Sequence, residues 1–357
     1  MKTKIAIITG GTGGHVFPAI ALSEQLKIRD IEHVFMADYR VLHLMPKEST
    51  YLLNIKPNCN KLHKKIVSAY SIIAATKKTT QILKKEKPDA LVSFGGYATI
   101  PAVLAAKHLK IPTILHEQNT VLGSSHKIFA KQAAAIAISF SEVERLKDKT
   151  NIVHTGNPVR KSILDLNMLN NNNYNNDKNF NILILGGSQG SQEIDQITSN
   201  ILTQEINNYK INIVHQCRPE NIKKISAGYT NLGIANDVSH FFNNIGEKIA
   251  KANLVICRAG ATTIAENLAA NKPAIYIPYK HASHNHQMKN AQFVVKNGAG
   301  LLFEQNAESL IDTIKKLLNQ PMLLANLSVN AKNIAMPNAS AQLAELTLKH
   351  ARLKQPV

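Results

Sequence analysis

The chain has 357 residues, of which 44% are apolar, and its formal net charge is +18 at pH 7. This length favours two domains, and no run of about 18 apolar residues suggests a membrane-spanning helix. The three cysteines lack C-x-x-C spacing, which argues against a disulfide framework and a zinc site. The positive charge, densest in the N-terminal half, favours an anionic partner such as nucleic acid, a negative membrane surface or a phosphorylated substrate, unless it serves solubility alone.

The N-terminal half alternates between predicted strands and helices. Strands are predicted over residues 5–9, 32–36, 90–94, 112–116, 135–139 and 151–154, and helices over 16–27 and 100–109. Such alternation is typical of a parallel sheet with helices on both faces. Ligands of these sheets bind at the carboxyl ends of the strands. Glycine-rich or polar turns follow three of the strands, at residues 10–15, 95–97 and 116–119.

The turn after the first strand, residues 10–15, reads Gly-Gly-Thr-Gly-Gly-His. Glycines allow a tight turn and a close approach to the backbone, and the N–H groups at the start of the next helix favour an anion or a sugar oxygen. The order fits neither the dinucleotide fingerprint nor the Walker P-loop. His15 stands at the helix entrance, where a neutral imidazole can accept a proton. The alternative is an ordinary strand-to-helix turn.

The same pattern restarts in the C-terminal half, after an asparagine-rich tract at residues 167–179 that we interpret as a solvated loop. A strand at 180–185 leads into a second glycine-rich turn, Gly-Gly-Ser-Gln-Gly, and a helix from about residue 191. Further strands are predicted at 211–216, 253–257 and 273–278, a helix at 284–297, and mostly helix over the last 50 or so residues, with a final helix at 339–353.

Two α/β halves that each open with strand, glycine turn and helix predict two domains. We expect an N-terminal domain at 1–162, a C-terminal domain at 163–338, and a C-terminal helix within 339–357 that packs back on the N-terminal domain. A cleft between two such domains is a favoured place for a ligand.

Residues 61–87 form a basic segment with interleaved apolar side chains. Such a segment can lie on an anionic leaflet, and we predict membrane contact through Lys64, Lys65, Ile66, Ile72, Ile73, Lys77 and Lys78. The alternative, which is commoner in general, is a surface helix whose apolar stripe lies in the core.

Six motifs in this order resemble the MurG family: residues 10–15, Gly95-Gly96-Tyr97, His116-Glu117-Gln118-Asn119, Gly156-Asn157-Pro158-Val159-Arg160, the second glycine turn at 186–190, and Arg258-Ala259-Gly260-Ala261 with Glu266. The resemblance runs from about residue 4 to residue 350. Members of this family are bacterial transferases that add N-acetylglucosamine to lipid I and so form lipid II, the peptidoglycan precursor. The resemblance implies a GT-B glycosyltransferase fold of class α/β, with two Rossmann-like domains facing across a cleft. It also implies that the protein is an inverting hexosyltransferase.

The resemblance places the nucleotide sugar on the C-terminal half. It implies that Ser188 meets the diphosphate, that Glu266 accepts from the ribose hydroxyls, and that Gln287 hydrogen-bonds the sugar. The backbone of Phe242 is expected at the uracil, although an aliphatic residue is usual there, and residues 280–286 form a loop one residue longer than the family pattern. The remaining predicted donor-binding residues are Thr12, Gly13, Gly14, Asn119, Arg160, Ala261, Thr262, Thr263, Ile264 and Ala265. A solvated helix carboxylate is the alternative for Glu266, and a structural role is the alternative for Arg160.

On the acceptor side, the lipid I diphosphate suits the first glycine turn, and His116, Glu117 and Tyr97 are candidates to shape that side. The predicted catalytic residues are His15, as the base, and Glu117. His15 has two other interpretations, in which it orients the acceptor or caps the helix. No cofactor is expected, and because the chain lacks an Asp-x-Asp pair we expect no obligatory metal.

The predicted function is therefore transfer of N-acetylglucosamine from UDP-N-acetylglucosamine to lipid I in peptidoglycan synthesis, which also connects the chain to cell-wall biogenesis, cell shape, the cell cycle and cell division. The absence of a signal-peptide core at the N-terminus predicts that the chain stays in the cytoplasm, and the lipid acceptor implied by the resemblance predicts a peripheral protein on the cytoplasmic side of the inner membrane. The alternatives are another two-domain UDP-sugar enzyme, such as an epimerase, and a non-catalytic nucleic-acid-binding module. No recognisable nucleic-acid-binding motif supports the second alternative, and we expect no nucleic acid partner.

Overall fold

A computed structural model describes residues 2–46, 49–53, 55, 62–146, 151–167, 179–187, 190–200, 209–304 and 310–352; within these ranges the side chains of 62–69, 167, 199, 200 and 352 are not described. The chain divides into two compact units. The N-terminal unit comprises Met1–Arg160 with Pro337–Val357, and the C-terminal unit comprises Lys161–Met336. Most of the asparagine-rich tract lies outside the described residues.

In the described part of the N-terminal unit, seven parallel strands form one sheet in the order β3-β2-β1-β4-β5-β6-β7. The strands are β1 (Lys4–Thr9), β2 (Glu32–Asp38), β3 (Thr50–Leu53), β4 (Ala90–Ser93), β5 (Thr113–Glu117), β6 (Ala135–Ile138) and β7 (Ile152–His154). The helices are α1 (Gly13–Ile28), α2 (Leu62–Glu86), α3 (Ile100–His108), α4 (Ser124–Phe129) and the final helix, α13 (Ala339–Arg352).

The central strands of this sheet carry buried apolar side chains on both faces because helices cover both faces. In β1, Ile5 and Ile7 pack into one core cluster, while Ala6 and Ile8 pack into the other. Helix α13 belongs to the first of these layers, since Leu343 is fully buried in the same cluster as Ile5. An ion pair of 3.0 Å between Arg29 Nη2 and Glu345 Oε1 joins the end of α1 to α13.

In the described part of the C-terminal unit, six parallel strands form a sheet in the order β10-β9-β8-β11-β12-β13. The strands are β8 (Phe180–Leu185), β9 (Ile211–Gln216), β10 (Ala235–Ser239), β11 (Leu254–Cys257), β12 (Ala274–Tyr276) and β13 (Leu301–Leu302). The helices are α5 (Lys161–Asn167), α6 (Gln192–Asn200), α7 (Ile222–Asn231), α8 (Ile245–Lys251), α9 (Ala261–Ala269), α10 (His286–Lys296), α11 (Leu310–Asn319) and α12 (Pro321–Ile334).

Both sheets reverse their strand order at one place, next to their first strand. In the N-terminal unit the reversal lies between β1 and β4, and in the C-terminal unit it lies between β8 and β11. The connections after these strands leave in opposite directions, which opens a crevice at the carboxyl edge where ligands of such sheets bind. The glycine turns at residues 10–15 and 186–190 each follow one of these strands, so the topology puts both turns at switch points.

Helix α1 begins three residues earlier than its apolar pattern predicts, at Gly13 rather than Val16. The carbonyl of Thr12 accepts hydrogen bonds from the backbone N–H groups of His15 and Val16, at 3.1 and 3.3 Å. Gly13 and Gly14 therefore belong to the first helical turn rather than to the connecting turn. Periodicity missed them because a glycine has no side chain to bury.

Candidate active site

Asp38, the last residue of β2, holds the first glycine turn in place through a hydrogen bond. Its Oδ2 accepts a hydrogen bond of 3.0 Å from the N–H of Gly11. A Cβ on Gly10 would lie 2.7 Å from that oxygen and 2.8 Å from the Cβ of Ala98. Only glycine therefore fits at position 10, and one N–H group of the turn is already satisfied inside the protein.

His15 lies on the first turn of α1 and is half-buried. Its Nδ1 is 2.9 Å from the carbonyl oxygen of Gly10. A carbonyl oxygen can only accept, so this contact places the proton of a neutral imidazole on Nδ1 and the acceptor lone pair on Nε2. The helix start also disfavours a charged imidazolium. The geometry therefore gives His15 the form in which Nε2 can take a proton.

The turn after β4 lies directly against the first glycine turn. Gly95 and Gly96 both have a φ of +84°, and a Cβ on Gly96 would come within 3.1 Å of the Gly10 carbonyl oxygen and 3.7 Å of His15 Cε1. Tyr97 follows and is half-buried. The structure thus brings together two of the turns that the sequence places at strand ends.

Glu117, the second predicted catalytic residue, is only 2% exposed. Its Oε1 accepts from the backbone N–H of Asn119 at 3.1 Å, and its Oε2 accepts from the N–H of Gly123 at 2.8 Å and from Nδ1 of His126 at 3.2 Å. Burial raises the pKa of the Glu117 carboxyl, but these hydrogen bonds outweigh burial and hold its pKa below the usual value. A buried, saturated carboxylate of lowered pKa is a poor base. The geometry therefore argues against catalysis by Glu117 and gives it the task of shaping the loop after β5.

His116 is fully buried and serves the same loop region. Its Nε2 is 3.1 Å from the carbonyl oxygen of Gly156, and its Nδ1 is 3.1 Å from Nε2 of Gln118. Burial lowers the pKa of His116 to about 4, so the ring is neutral, donates to Gly156 and accepts from Gln118. His116 thus ties the loop after β5 to the loop after β7 and does not itself face a ligand.

Two predicted donor contacts, Asn119 and Arg160, belong to the N-terminal unit. Both are half-buried. The backbone N–H of Asn119 donates to Glu117, and its side-chain Nδ2 lies 3.4 Å from the same oxygen. The guanidinium carbon of Arg160 lies 4.3 Å from the centre of the Phe17 ring, two residues beyond His15 on α1. This stacking brings a cation to the first glycine turn.

In the C-terminal unit, the second glycine turn folds tightly back on itself. A Cβ on Gly186 would lie 2.7 Å from the backbone nitrogen of Ser191, and the N–H of Gly190 donates to the Gly187 carbonyl at 3.0 Å. Ser191 Oγ accepts from the N–H of Ile194 at 3.2 Å, which caps α6. Ser188, the predicted diphosphate contact, lies outside the described residues.

Arg258, directly after β11, connects three loops at this edge. Its Nη2 donates to Ser191 Oγ at 2.6 Å and to Glu193 Oε2 at 2.8 Å, while Nη1 donates to the carbonyl of Ile277 at 3.1 Å. The residue is only 9% exposed. Arg258 therefore fixes the second glycine turn against the loops after β11 and β12, with its charge paired to the Glu193 carboxylate.

A second buried group, centred on Asp195 of α6, supports the same turn. Asp195 Oδ2 accepts from the backbone N–H of Arg218 at 3.2 Å and from Nδ2 of Asn221 at 2.7 Å. The stem of Arg218 lies against Gly190, where a Cβ would be 2.8 Å from Arg218 Cγ. Although burial raises the pKa of Asp195, the nearby His215 ring, whose Nε2 is 3.5 Å from Oδ1, and the hydrogen bonds from Asn221 and Arg218 lower it overall.

Helix α9 carries six of the predicted donor-binding residues. Ala261, Thr262, Ile264 and Glu266 are buried, whereas Thr263 and Ala265 are half-buried. The helix starts at the carboxyl end of β11, so its first N–H groups lie at the edge of the sheet. Thr262 and Glu266 are four residues apart and share one face of the helix. Glu266 is only 6% exposed, which is unlike the solvated helix carboxylate of the alternative interpretation.

The last two predicted donor contacts, Gln287 and Phe242, follow β12 and β10, which lie on opposite sides of β8 in the sheet. Oε1 of Gln287 accepts from the backbone N–H of Tyr279 at 2.9 Å, so the Gln287 amide nitrogen is the group left to donate. The loop before it contains two left-handed residues, His284 and Asn285, with φ of 53° and 54°. Phe242 follows β10 and is half-buried, with Lys248 Nζ 5.3 Å above its ring.

The predicted membrane segment is a single helix, α2. Ala75, Thr79, Ile82 and Leu83 are buried, as the core alternative requires. The opposite face nevertheless presents Tyr70 at 75% and Ile73 at 68% exposure, and Lys77 and Lys78 are also exposed. Ile72 is half-buried, and the side chains of Lys64, Lys65 and Ile66 are not described. The buried face of α2 therefore supports the core interpretation, and its exposed face supports the membrane interpretation.

Two features are absent from the described ranges. No helix there is long and apolar enough to cross a bilayer. No three His, Cys, Asp or Glu side chains there come together in a way that could hold a metal ion.

Sequence reasoning missed the residues that support the turns. Asp38, Arg258 and Asp195 each contact a glycine turn or its helix, yet none is predicted as a site residue. Asp38 could have been found from the sequence, because it is a charged residue at the carboxyl end of an apolar strand, at the edge where ligands are expected. Asp195 could not, since its partners lie more than 20 residues further along the chain.

Comparison with known proteins agrees with this geometry. Residues 5–138 match the glycosyltransferase family 28 N-terminal domain, and residues 181–343 match the glycosyltransferase family 28 C-terminal domain. A UDP-N-acetylglucosamine--N-acetylmuramyl-(pentapeptide) pyrophosphoryl-undecaprenol N-acetylglucosamine transferase of Wolbachia pipientis subsp. Culex pipiens is 38% identical over 340 residues, covering 94% of this chain and 95% of that protein. This chain belongs to the MurG family of glycosyltransferase family 28.

Other members and solved structures extend the match. The Geobacter metallireducens transferase of the same name is 33% identical over 355 residues, covering 96% of this chain and 97% of that protein. The crystal structure of Acinetobacter baumannii MurG superposes with a TM-score of 0.76 at 28% identity, covering 97% of this chain and 99% of that one. A Neisseria meningitidis UDP-GlcNAc 2-epimerase bound to UDP-GlcNAc has a TM-score of 0.68 at 17% identity, covers 97% of this chain and 100% of that one, and shares the fold alone. The predicted family and its GT-B fold, built from two Rossmann-like α/β units, are confirmed.

Proposed function

We propose that this protein is a hexosyltransferase that moves N-acetylglucosamine from UDP-N-acetylglucosamine to lipid I, and so forms lipid II for peptidoglycan. The observation that carries the proposal is the 38% identity over 94% of the chain to a transferase of that name. The match spans both units, so it includes both glycine turns and all six motifs. Roles in cell-wall biogenesis, cell shape, the cell cycle and cell division follow from that product.

The donor is proposed to bind the C-terminal unit. The second glycine turn and the start of α6 offer N–H groups to a diphosphate, and the Arg258 guanidinium holds that turn in place through Ser191. Glu266, buried on α9, suits the ribose hydroxyls because a carboxylate accepts two hydrogen bonds. The amide nitrogen of Gln287 suits a sugar oxygen. We keep Ser188, Phe242, Asn119, Arg160 and residues 261–265 as proposed donor contacts, together with Thr12, Gly13 and Gly14.

The acceptor is proposed to meet the first glycine turn, where His15 serves as the base. His15 Nε2 takes the proton of the acceptor hydroxyl while that oxygen attacks the anomeric carbon, and UDP leaves from the opposite face. The N–H groups of the second turn stabilise the charge that develops on the leaving UDP. One displacement of this kind inverts the anomeric configuration. Glu117 holds the neighbouring loop and takes no part in proton transfer.

The acceptor is a lipid, and the exposed face of α2 suits the membrane that carries it. Tyr70 and Ile73 can enter the interface while Lys77 and Lys78 face anionic headgroups. We propose that the protein is peripheral on the cytoplasmic face of the inner membrane, with that anionic surface as a partner and no nucleic acid partner.

Product analysis tests the proposed function. Purified protein is incubated with UDP-N-acetylglucosamine, with and without lipid I, and both the lipid and the nucleotide sugar are analysed. We expect lipid II and UDP in equal amounts, formed only when lipid I is present. Formation of a 2-epimer of UDP-N-acetylglucosamine without acceptor would support the epimerase alternative instead. Binding of duplex DNA with no product from either substrate would support the nucleic-acid alternative.

A further inference from the structure

Asp38 is a fully buried carboxylate at the end of β2 that the proposed reaction does not use. Its Oδ1 accepts from the backbone N–H and Nε of Arg40, at 2.9 and 3.2 Å, and its Oδ2 accepts from Nη2 of Arg40 at 2.6 Å. Arginine is always charged in proteins, so Asp38 stays a carboxylate with a fixed orientation. Its remaining hydrogen bond goes to the N–H of Gly11, at 3.0 Å.

That N–H belongs to the peptide group between Gly10 and Gly11. A trans peptide group is planar, and its N–H and C=O point in opposite directions. Asp38 holds the N–H end, so the Gly10 carbonyl points away from Asp38, and it meets His15 Nδ1 at 2.9 Å. Gly96 leaves room for this carbonyl, because a Cβ there would lie only 3.1 Å from the oxygen.

The carboxylate, the peptide group and the imidazole therefore form one continuous chain of hydrogen bonds. In such a chain each bond polarises the next. Negative charge on Asp38 strengthens the Gly10 carbonyl as an acceptor, and the carbonyl in turn holds the proton on His15 Nδ1. The carboxylate of a Ser-His-Asp triad does the same task by direct contact with its histidine.

We propose that Asp38 is a positioning residue for His15 that acts through the Gly10–Gly11 peptide group. It fixes the neutral tautomer that has its proton on Nδ1, and it supports the imidazolium that forms when Nε2 takes the proton of the acceptor hydroxyl. The Nδ1 proton does not move during this step. The effect on catalysis rests on the proposed function, whereas the tautomer does not.

The test is nitrogen-15 NMR of the full-length protein labelled in histidine, with the His15 signals assigned from a His15→Gln variant. We expect neutral His15 in the parent protein to carry its proton on Nδ1. In Asp38→Asn, we expect a mixture that gains the Nε2-protonated form, and a turnover number lowered roughly 10-fold to 100-fold, the range for partners that orient an active-site histidine. The Michaelis constant for the donor should stay within about twofold, because the change leaves ground-state donor binding intact.

The matched control is Asp89→Asn. Asp89 Oδ2 accepts from the backbone N–H of Lys4 at 3.0 Å, which is the same kind of bond at the opposite edge of the same sheet. This variant should keep the parental His15 tautomer and the parental turnover number. A general loss of folding stability would affect both variants, whereas a change of tautomer would affect only Asp38→Asn.

Two results would overturn the proposal: a parent protein whose neutral His15 carries its proton on Nε2, or an Asp38→Asn variant with parental tautomer and turnover. The first measurement needs no change at Asp38, so it can overturn the proposal even if Asp38→Asn fails to fold. Should the parent show the Nδ1 proton but form no lipid II, the proposed function would fail while the assignment of the tautomer would stand.

Discussion

At the scale of single residues, we expect different tasks for His15 and His116 because their surroundings differ. His15 is half-buried on the first glycine turn, with its Nδ1 held by a carbonyl. His116 is fully buried and bonded at both ring nitrogens. The first geometry puts the proton of a neutral ring on Nδ1 and the acceptor lone pair on Nε2, so we propose His15 as the base and a structural task for His116.

The proposed base gives the sharpest prediction at this scale. His15→Ala should lower the turnover number roughly 100-fold or more, because general base catalysis typically contributes a factor of this size. Donor affinity, measured by calorimetry, should not change. If His15 only orients the acceptor, the Michaelis constant for lipid I should rise while turnover at saturating acceptor holds. Near-parental turnover at saturating lipid I would therefore end the base assignment.

His116 gives a prediction about stability and pH. Its pKa is lowered to about 4 in the folded protein, against about 6.5 in an unfolded chain. Between these values the unfolded state binds a proton and the folded state does not, so stability falls as the pH falls from 6.5 to 4. The loss should be about 3 kcal/mol. Urea unfolding across this window should show the slope in the parent and a reduced slope in His116→Gln; equal slopes would contradict the buried, neutral ring.

At the scale of elements, helix starts at the two switch points organise the proposed site, and α9 supplies the test for the donor side. Glu266 is buried on this helix. Losing a charged hydrogen-bond partner costs roughly 1.5–3 kcal/mol, so Glu266→Ala should weaken UDP binding by about 10-fold to 150-fold in calorimetry. Glu247→Ala, an exposed glutamate on α8 of the same unit, is the control and should bind as the parent does. Parental affinity in Glu266→Ala would remove the ribose role.

Helix α2 supplies the test for the membrane side. Replacing Lys64, Lys65, Lys77 and Lys78 with Gln should reduce co-sedimentation with anionic vesicles, since each lysine near the surface contributes about 1 kcal/mol at modest salt. A control variant with Lys223, Lys224, Lys251 and Lys296 changed to Gln alters the net charge equally, but through exposed lysines of the C-terminal unit. If both variants sediment alike, α2 has no special role and its exposed apolar residues are an ordinary surface.

At the scale of the whole molecule, the alternation of apolar strands and helices was enough to predict two α/β halves. Strand ends were enough to locate both glycine turns, since a turn's position depends on local sequence. The sequence does not show which groups fold back to form hydrogen bonds with a given side chain. From the sequence, Glu117 is a candidate for a reactive carboxylate, yet hydrogen-bond donors up to nine residues away occupy its oxygens. Asp38 lies beyond the strand predicted at residues 32–36, yet its carboxylate accepts a hydrogen bond from a turn residue 27 positions earlier in the chain.

The most direct test of the account is the anomeric configuration of the product formed from UDP-N-acetylglucosamine and lipid I. The donor sugar is α-linked to UDP, and one displacement assisted by His15 must invert that centre. We predict that proton NMR of the released disaccharide shows a β linkage, with one UDP formed for each linkage. An α linkage, or UDP released without a glycosylated lipid, would contradict the account.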